Sequence, residues 1–386
     1  MFVTKTTEGT ASLKTFMVFS SSGSRAAPKG GQARSAAATT PRNRFMEQFY
    51  IITAPVTKPV TRFAPERQEI IRHSPRCHCC GRVTADKAFD SAVPGFSILR
   101  CPDCGLGRTW PAVSPQDISR WYPASYYGKE NVRFNFIFEA LTRLFRRRRA
   151  RVLHNRVPRG PVLDVGCGRG IMLNHLRSLG YEAHGMELSD SAAWHAREQL
   201  RLEVATGDFL TSPHRKDCFN AVIFWHTLEH FHNPVEAMAR ARELLRPGGF
   251  LAVALPNFDS FQARLFGRNW FHLDVPRHYF HFGLKSLEAI MSRHAFRIVQ
   301  TDHFCFEQNP FGWLQSFYNA LGFPENLFYD LLKARSARTG VARKHPLALV
   351  MTLLILPPLL ALSLLLTLVD AALRQGGTIE VYAIKE

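Results

Sequence analysis

Short apolar runs recur between amphipathic stretches from about residue 161 to residue 305. Val162, Leu163 and Val165 make the first run, readable as a buried strand. Ile171, Leu173, Leu176 and Leu179 follow at roughly helical spacing. Further strands are predicted over Tyr181–Glu187, Val204–Phe209, Phe219–Trp225, Phe250–Leu255 and Phe296–Phe306. A helix is predicted from Asn233-Pro234 through Leu245, and another over 284–294. Pro247-Gly248-Gly249 separates the first of these helices from the strand after it. Such alternation predicts an α/β fold with a doubly wound parallel sheet.

Outside that region the rhythm changes. Residues 1 to about 60 are rich in Ser, Ala, Thr and Arg and show no sustained periodicity, which predicts a disordered basic segment over 1–65. The composition also suits an organelle transit peptide. A plainer reading is an over-extended start, with Met46 as the initiator. Residues 132–156 read as a helix. Phe134, Ile137, Phe138, Leu141, Leu144 and Phe145 form its apolar stripe, and Arg143, Arg146 to Arg149 and Arg151 its basic cluster. That helix either packs on the core with a solvated basic face or lies at a lipid surface with its arginines on phosphates.

Charge and cysteine usage sharpen this outline. The formal net charge of +18 implies an anionic partner, either nucleic acid or a phospholipid surface. Five of the eight cysteines fall between Cys77 and Cys104, which argues for a metal site in a reducing compartment over a disulfide framework. Cys77, Cys80, Cys101 and Cys104 have the spacing C-x2-C-x20-C-x2-C, two knuckles that supply four thiolates to a tetrahedral Zn²⁺. A closed four-thiolate set leaves no open position, so the predicted zinc is structural. Cys79 is expected to be a bystander.

The turn after the first strand carries the chemistry. Asp164-Val-Gly166-Cys167-Gly168-Arg-Gly170 puts an acid before a glycine turn. Glycines let a ligand approach the backbone closely. The acid would repel a pyrophosphate and suit a cation. This stretch closely resembles motif I of class I S-adenosylmethionine (SAM)-dependent methyltransferases, whose cofactor carries a sulfonium and an ammonium. The resemblance implies a seven-stranded Rossmann-like methyltransferase sheet. It implies SAM held by Asp164, Gly166, Cys167, Gly168 and Gly170, with Glu187 on the ribose and Leu188 and Trp225 lining the site. It also implies Asp208 on the adenine amino group and Phe209 against the ring.

The resemblance extends along the chain. Leu228-Glu229-His230 and Pro247-Gly248-Gly249 resemble the group containing quinone-biosynthesis O-methyltransferases. Trp110 to Gly128 resembles the linker of bacterial methyltransferases with an N-terminal zinc ribbon. His226-x-x-Glu229-His230 also matches a zinc-protease arrangement, but it falls at a strand end instead of on a helix. Some relatives bind a divalent ion with acids in this loop. Trp225-His226-Thr227-Leu228 stands where methyltransferases of base nitrogens often carry Asn/Asp-Pro-Pro-aromatic, which lowers the nucleic-acid reading. Pro276-Arg277-His278-Tyr-Phe-His281-Phe282 resembles a segment of zinc-ribbon and glycan-linked methyltransferases. A hydroxyl acceptor must lose a proton, and imidazole, with a pKa of ~6.5, suits that task. The candidate bases are His230, His278 and His281, each of which could instead be a structural cap.

Pro346 to Val369 carries no charge. About 24 residues at ~1.5 Å each could cross a ~30 Å membrane core once. Pro357-Pro358 lies in the middle, and a proline disfavours helix at the residue before it. Gly377–Lys385 resembles the last, antiparallel strand of the family, so both flanks of the apolar segment belong to one sheet. The expectation is a hydrophobic helical hairpin over 346–370, dipping into one leaflet, with a buried cap, a dimer interface or a true span as alternatives. The predicted organisation is a basic segment (1–65), zinc ribbon and linker (70–128), basic amphipathic helix (129–156), SAM-binding core (157–305), insertion (306–376) and last strand (377–386). The expected function is methyl transfer to a hydroxyl or similar nucleophile of a small-molecule, lipid-linked or glycan-type acceptor. The expected location is cytoplasmic, at the cytoplasmic face of a bacterial inner membrane. A quinone-precursor O-methyltransferase, an RNA methyltransferase and a SAM-binding-dead adaptor are the alternatives.

Overall fold

The computed structural model describes residues 76–83, 85–114, 117–122, 135–333 and 343–386. The N-terminal segment 1–65, residues 115–116 and 123–128 of the aromatic linker, and Phe134 lie outside the described residues. Three short strands come first: β1 (Asp86–Asp90), β2 (Ser97–Arg100) and β3 (Gly107–Trp110). Helix α1 (Phe136–His154) starts at Asn135, whose side chain accepts from the Phe138 amide and satisfies one of the first turn's free donors. The alternating region is β4 (Pro161–Val165), α2 (Ile171–Ser178), β5 (Glu182–Glu187), α3 (Asp190–Trp194), β6 (Glu203–Thr206), β7 (Phe219–Trp225), α4 (Pro234–Leu244) and β8 (Leu245–Pro256). It continues through α5 (Phe261–Phe266), β9 (Phe280–His281), α6 (Leu284–Arg293) and β10 (Phe296–Asp302). Then come α7 (Asn309–Ala320), α8 (Leu327–Leu332), α9 (Pro346–Ala372) and β11 (Thr378–Lys385).

Seven strands form one sheet in the order β10-β11-β8-β7-β4-β5-β6. Strands β4 to β8 pair in parallel, and β11 runs antiparallel to both β8 and β10. The predicted last strand therefore closes the sheet as expected. Winding starts at β4, steps to β5 and β6, then returns to β7 on the other side. That reversal leaves a crevice beyond the carboxyl ends of β4 and β7, where open α/β sheets bind ligands. Central strands are apolar on both faces because helices cover both; Leu163, Ala221, Val222 and Phe224 are fully buried. Strand β8 starts at Leu245, earlier than predicted, because the register shift opposite Phe219–Ala221 lets Pro247-Gly248-Gly249 stay within it.

The ribbon is not a free-standing unit. Strand β9, from the middle of the core, pairs antiparallel with β3 and completes a second sheet, β1-β2-β3-β9. Cys79, Cys101, Cys104 and Leu106 share one buried cluster with Tyr279, Phe280 and Phe282.

The predicted hairpin over 346–370 is one continuous helix of 27 residues, with Pro357 and Pro358 inside it. The conformational bias against helix before proline is overridden by packing at both ends of α9. Tyr318 Oη donates to the Thr352 carbonyl at 2.8 Å, and Trp313 Nε1 donates to Asp370 Oδ2 at 2.7 Å. Both partners lie on α7, so α9 is laid against the body of the protein. The chain reverses between α7 and α9, not at the double proline. Thr352, Ser363, Thr367 and Asp370 face inward and are buried, while Leu347, Leu353, Leu354, Leu365 and Leu368 are exposed. The helix thus turns its few polar residues to the protein and its leucines outward.

Candidate active site

The glycine loop leaves β4 at the crevice. Gly166 and Gly170 both have positive φ, and a Cβ on either would stand less than 3 Å from Thr227 or Ala196. Only glycine fits these two positions. A Cβ on Gly168 would meet nothing within 4 Å, so that side of the loop faces open space. Asp164 is 3% exposed and accepts no hydrogen bond from a described side chain. Burial pushes its carboxyl up to about 7, opposed by Arg149 and joined by the charge of Glu187. Glu187 ends β5 and takes the Gly168 amide at 2.9 Å and the Ser189 amide at 3.1 Å. Its pKa is raised too, by burial. Two acids therefore converge under the loop, poorly solvated and suited to a cation. Cys167 packs into this loop, its Sγ 3.9 Å from the Gly168 carbonyl.

Beyond Glu187, Leu188 is 73% exposed. Asp208 is exposed and caps a short turn through the Leu210 amide. Phe209, expected against the ring, is instead buried against Phe224 and Phe231. Its side chain points into the core because it opens the turn after β6. Trp225, at the end of β7, lies 4.3 Å under the Arg149 guanidinium.

Arg149 belongs to α1, which roofs the crevice. It pairs with Glu307, and Glu139 on the same helix pairs with Arg169 of the glycine loop at 2.8 Å. Arg146 is also turned inward; burial and Arg149 push it down to about 10. The basic cluster is thus split, with Arg143, Arg147, Arg148 and Arg151 exposed and two arginines facing the site.

The loop after β7 adds a second group. Thr227 fills the space a Cβ on Gly166 would need, and Leu228–His230 forms a single 3-10 turn. His230 Nδ1 donates to the Arg277 carbonyl at 3.0 Å and lies 3.2 Å from the Tyr122 hydroxyl. His278 Nδ1 donates to the His272 carbonyl at 3.0 Å. A carbonyl can only accept, so in each neutral ring Nε2 carries the lone pair. The two rings are 4.6 Å apart. Ligand atoms of Glu229, His230 and His278 lie within 4.8 Å of one another. Both Glu229 oxygens are buried without a hydrogen-bond partner, and burial pushes the carboxyl up to about 7. His281 has a different part. The Thr109 hydroxyl donates to the His278 carbonyl at 2.6 Å, so it accepts from His281 Nε2 at 3.1 Å. That nitrogen is a donor to the ribbon, not a base.

Residues 133–301 match a sequence model described as a methyltransferase domain. That stretch is similar to methyltransferase domains. A ubiquinone biosynthesis O-methyltransferase of Aromatoleum aromaticum is 28% identical over 125 residues, 30% of this chain and 53% of that one. The Caulobacter vibrioides protein of the same name is 29% identical over 166 residues, 38% of this chain and 64% of that one. The chain thus spans half to two thirds of the length of these relatives. A SAM dependent methyltransferase structure from Archaeoglobus fulgidus aligns with a TM-score of 0.40 at 17% identity, covering 70% of this chain and all of that one.

The four cysteines lie outside the matched region, on its N-terminal side. Their sulfurs lie within 4.8 Å of one another, with Cys77–Cys104 and Cys80–Cys101 each at 3.5 Å. A tetrahedral site with Zn–S of ~2.3 Å needs sulfurs ~3.8 Å apart, so the set fits. Gly81 and Gly105 amides donate back to Cys77 and Cys101, closing each knuckle. Cys79 is buried and is not one of the four clustered sulfurs.

Sequence reasoning missed three parts of the site. The sequence puts Glu229 in the Leu-Glu-His signature without a catalytic role, sets Arg149 on a solvated or lipid-facing basic face, and does not single out Thr109. The odd signal for Glu229 was an acid beside histidine in an otherwise aromatic, apolar stretch.

Proposed function

We propose that this chain transfers a methyl group from SAM to a hydroxyl or similar nucleophile of a small, lipid-linked or glycan-type acceptor at a membrane surface. The observation that carries this reading is that the Thr227 side chain fills the space a Cβ on Gly166 would need. It sets the acid-lined loop beside Glu229, His230 and His278 at one edge of the sheet. Bound SAM supplies a methyl carbon made electrophilic by its sulfonium. Asp164 and Glu187 hold the cationic and ribose ends, with Asp208 and Leu188 at the adenine. His230 Nε2 takes the acceptor's proton, with the Glu229 carboxylate stabilising the imidazolium. His278 positions His230 by ring contact. The four thiolates hold a structural zinc, and β9 carries that rigidity to the histidine segment.

The inverted polarity of α9 supports membrane contact at the cytoplasmic face. Calorimetry on the purified protein tests the cofactor: micromolar SAM binding that Asp164→Ala abolishes, with the fold intact, is expected. No binding by the wild type would favour a SAM-dead adaptor. Co-sedimentation with anionic liposomes is expected over salt-sensitive retention of RNA; the opposite result would favour an RNA acceptor. A quinone precursor is the second reading, favoured by relatives named as ubiquinone biosynthesis O-methyltransferases.

A further inference from the structure

A hollow of about 340 Å³ lies where the outer face of α1, the end of β10 and the foot of α9 meet. Arg148, Arg156, His303 and Arg374 line it, with Asp302 and Glu380. Both acids are occupied. Asp302 accepts from Arg156 at 2.9 Å and from Gln300 at 2.7 Å, and Glu380 accepts from Tyr382 at 3.0 Å. The guanidinium groups of Arg148 and Arg374 have no hydrogen-bond or ion-pair partner among the described residues. His303 is 7% exposed, and neither of its ring nitrogens is hydrogen-bonded. Burial and the charge of Arg374 lower its pKa, so the ring is neutral and offers one unused N–H. Two free guanidinium groups at one hollow, with an unpartnered imidazole in its wall, suit a phosphate oxygen cluster.

The surroundings decide the source of that phosphate. Phe304 and Phe306 are exposed beside His303. Leu365, Leu368, Val369 and Leu373 are exposed along the adjoining part of α9. We propose that this hollow holds the phosphate of an anionic membrane phospholipid, whose acyl chains run along the leucine face of α9. The inference rests on the membrane reading above and makes it specific: α9 supplies apolar area, and the hollow supplies headgroup preference.

The full chain is floated with vesicles of phosphatidylcholine alone and of phosphatidylcholine mixed with phosphatidylglycerol. Wild type is expected on both, more tightly on the anionic ones. Arg148→Ala/Arg374→Ala is expected to lose on the order of tenfold to thirtyfold on anionic vesicles only, from ~1 kcal/mol per arginine at such a surface. Unchanged SAM affinity by calorimetry reports that this variant is folded. Arg201→Ala/Arg215→Ala removes equal charge elsewhere and is expected to change little. An equal loss in that control, or an unchanged anionic preference in the double variant, overturns the hollow as the site. Full competition by millimolar inorganic phosphate overturns the lipid assignment in favour of a free anion. If the wild type ignores both vesicles and sediments as a dimer, the membrane reading itself falls. Equal binding to both vesicles sinks only the headgroup site.

Discussion

The Thr109 hydroxyl of the ribbon stands 3.1 Å from Nε2 of His281 in the core. The same hydroxyl reaches the His278 carbonyl at 2.6 Å, and the Thr109 amide reaches the Tyr279 carbonyl at 3.0 Å. One threonine thus clamps the segment that carries His278. Thr109→Val keeps the shape and removes both hydroxyl bonds, about 1 kcal/mol each. Amide exchange across 278–282 should quicken several-fold, and SAM affinity should stay within twofold. Chelating the zinc should loosen the same amides. Unchanged exchange in both experiments would mean that the ribbon does not support the histidines.

If Asp164 holds the cationic end of SAM as proposed, binding should depend on pH. Its carboxyl is raised to about 7 in the free protein, and a bound cation favours the ionised form. Below that pH the ligand must expel a proton, so affinity should fall by up to tenfold per unit as pH drops from about 7. Calorimetry in two buffers of different ionisation enthalpy should register proton release near pH 6 and almost none at pH 8. The stability sign is opposite. A raised carboxyl contributes stability below its unfolded pKa, and that contribution is lost as pH rises through about 7. SAM should therefore raise the melting temperature more at pH 8 than at pH 6.

How far these relations could be read in advance depended on their range along the chain. Asp164, the glycine turn and Glu187 are local to consecutive strand ends, and the four cysteines declare themselves by spacing. Pairing of β3 with β9 joins residues some 170 positions apart through only two residues, Phe280 and His281, too short for any periodicity. The arginines of α1 are interleaved at spacings that leave their orientation open. Only the depth of the crevice turns Arg146 and Arg149 inward. Pro357-Pro358 states a local bias, whereas the contacts of α9 with Trp313 and Tyr318 depend on where α7 lies.

Glu229 and His226, neighbours after β7, are shifted in opposite directions. Glu229 is raised to about 7 and His226 lowered to about 4, both chiefly by burial. Glu229→Gln should leave SAM affinity within threefold while turnover drops by on the order of a hundredfold. The acid limb of the pH–rate profile near 7 should flatten. Because the ionised carboxylate is costly in the fold, the variant should melt higher than wild type at pH 8 and match it at pH 5. Wild-type turnover in this variant would remove Glu229 from the mechanism.

The outward leucines of α9 give the last test. Leu354, Leu365 and Leu368 are each more than half exposed, and the inward residues Thr352, Thr367 and Asp370 are buried. Leu354→Gln/Leu365→Gln/Leu368→Gln changes the outer face and leaves the bonds to Trp313 and Tyr318 untouched. Burying one leucine in an apolar phase is worth ~2 kcal/mol, so three together should lower membrane partition by several orders of magnitude. The variant should move to the soluble fraction with its SAM affinity unchanged. Continued sedimentation with membranes would assign the anchor to another part of the chain. Loss of a dimer on gel filtration, in place of loss of membrane binding, would make this face a protein interface.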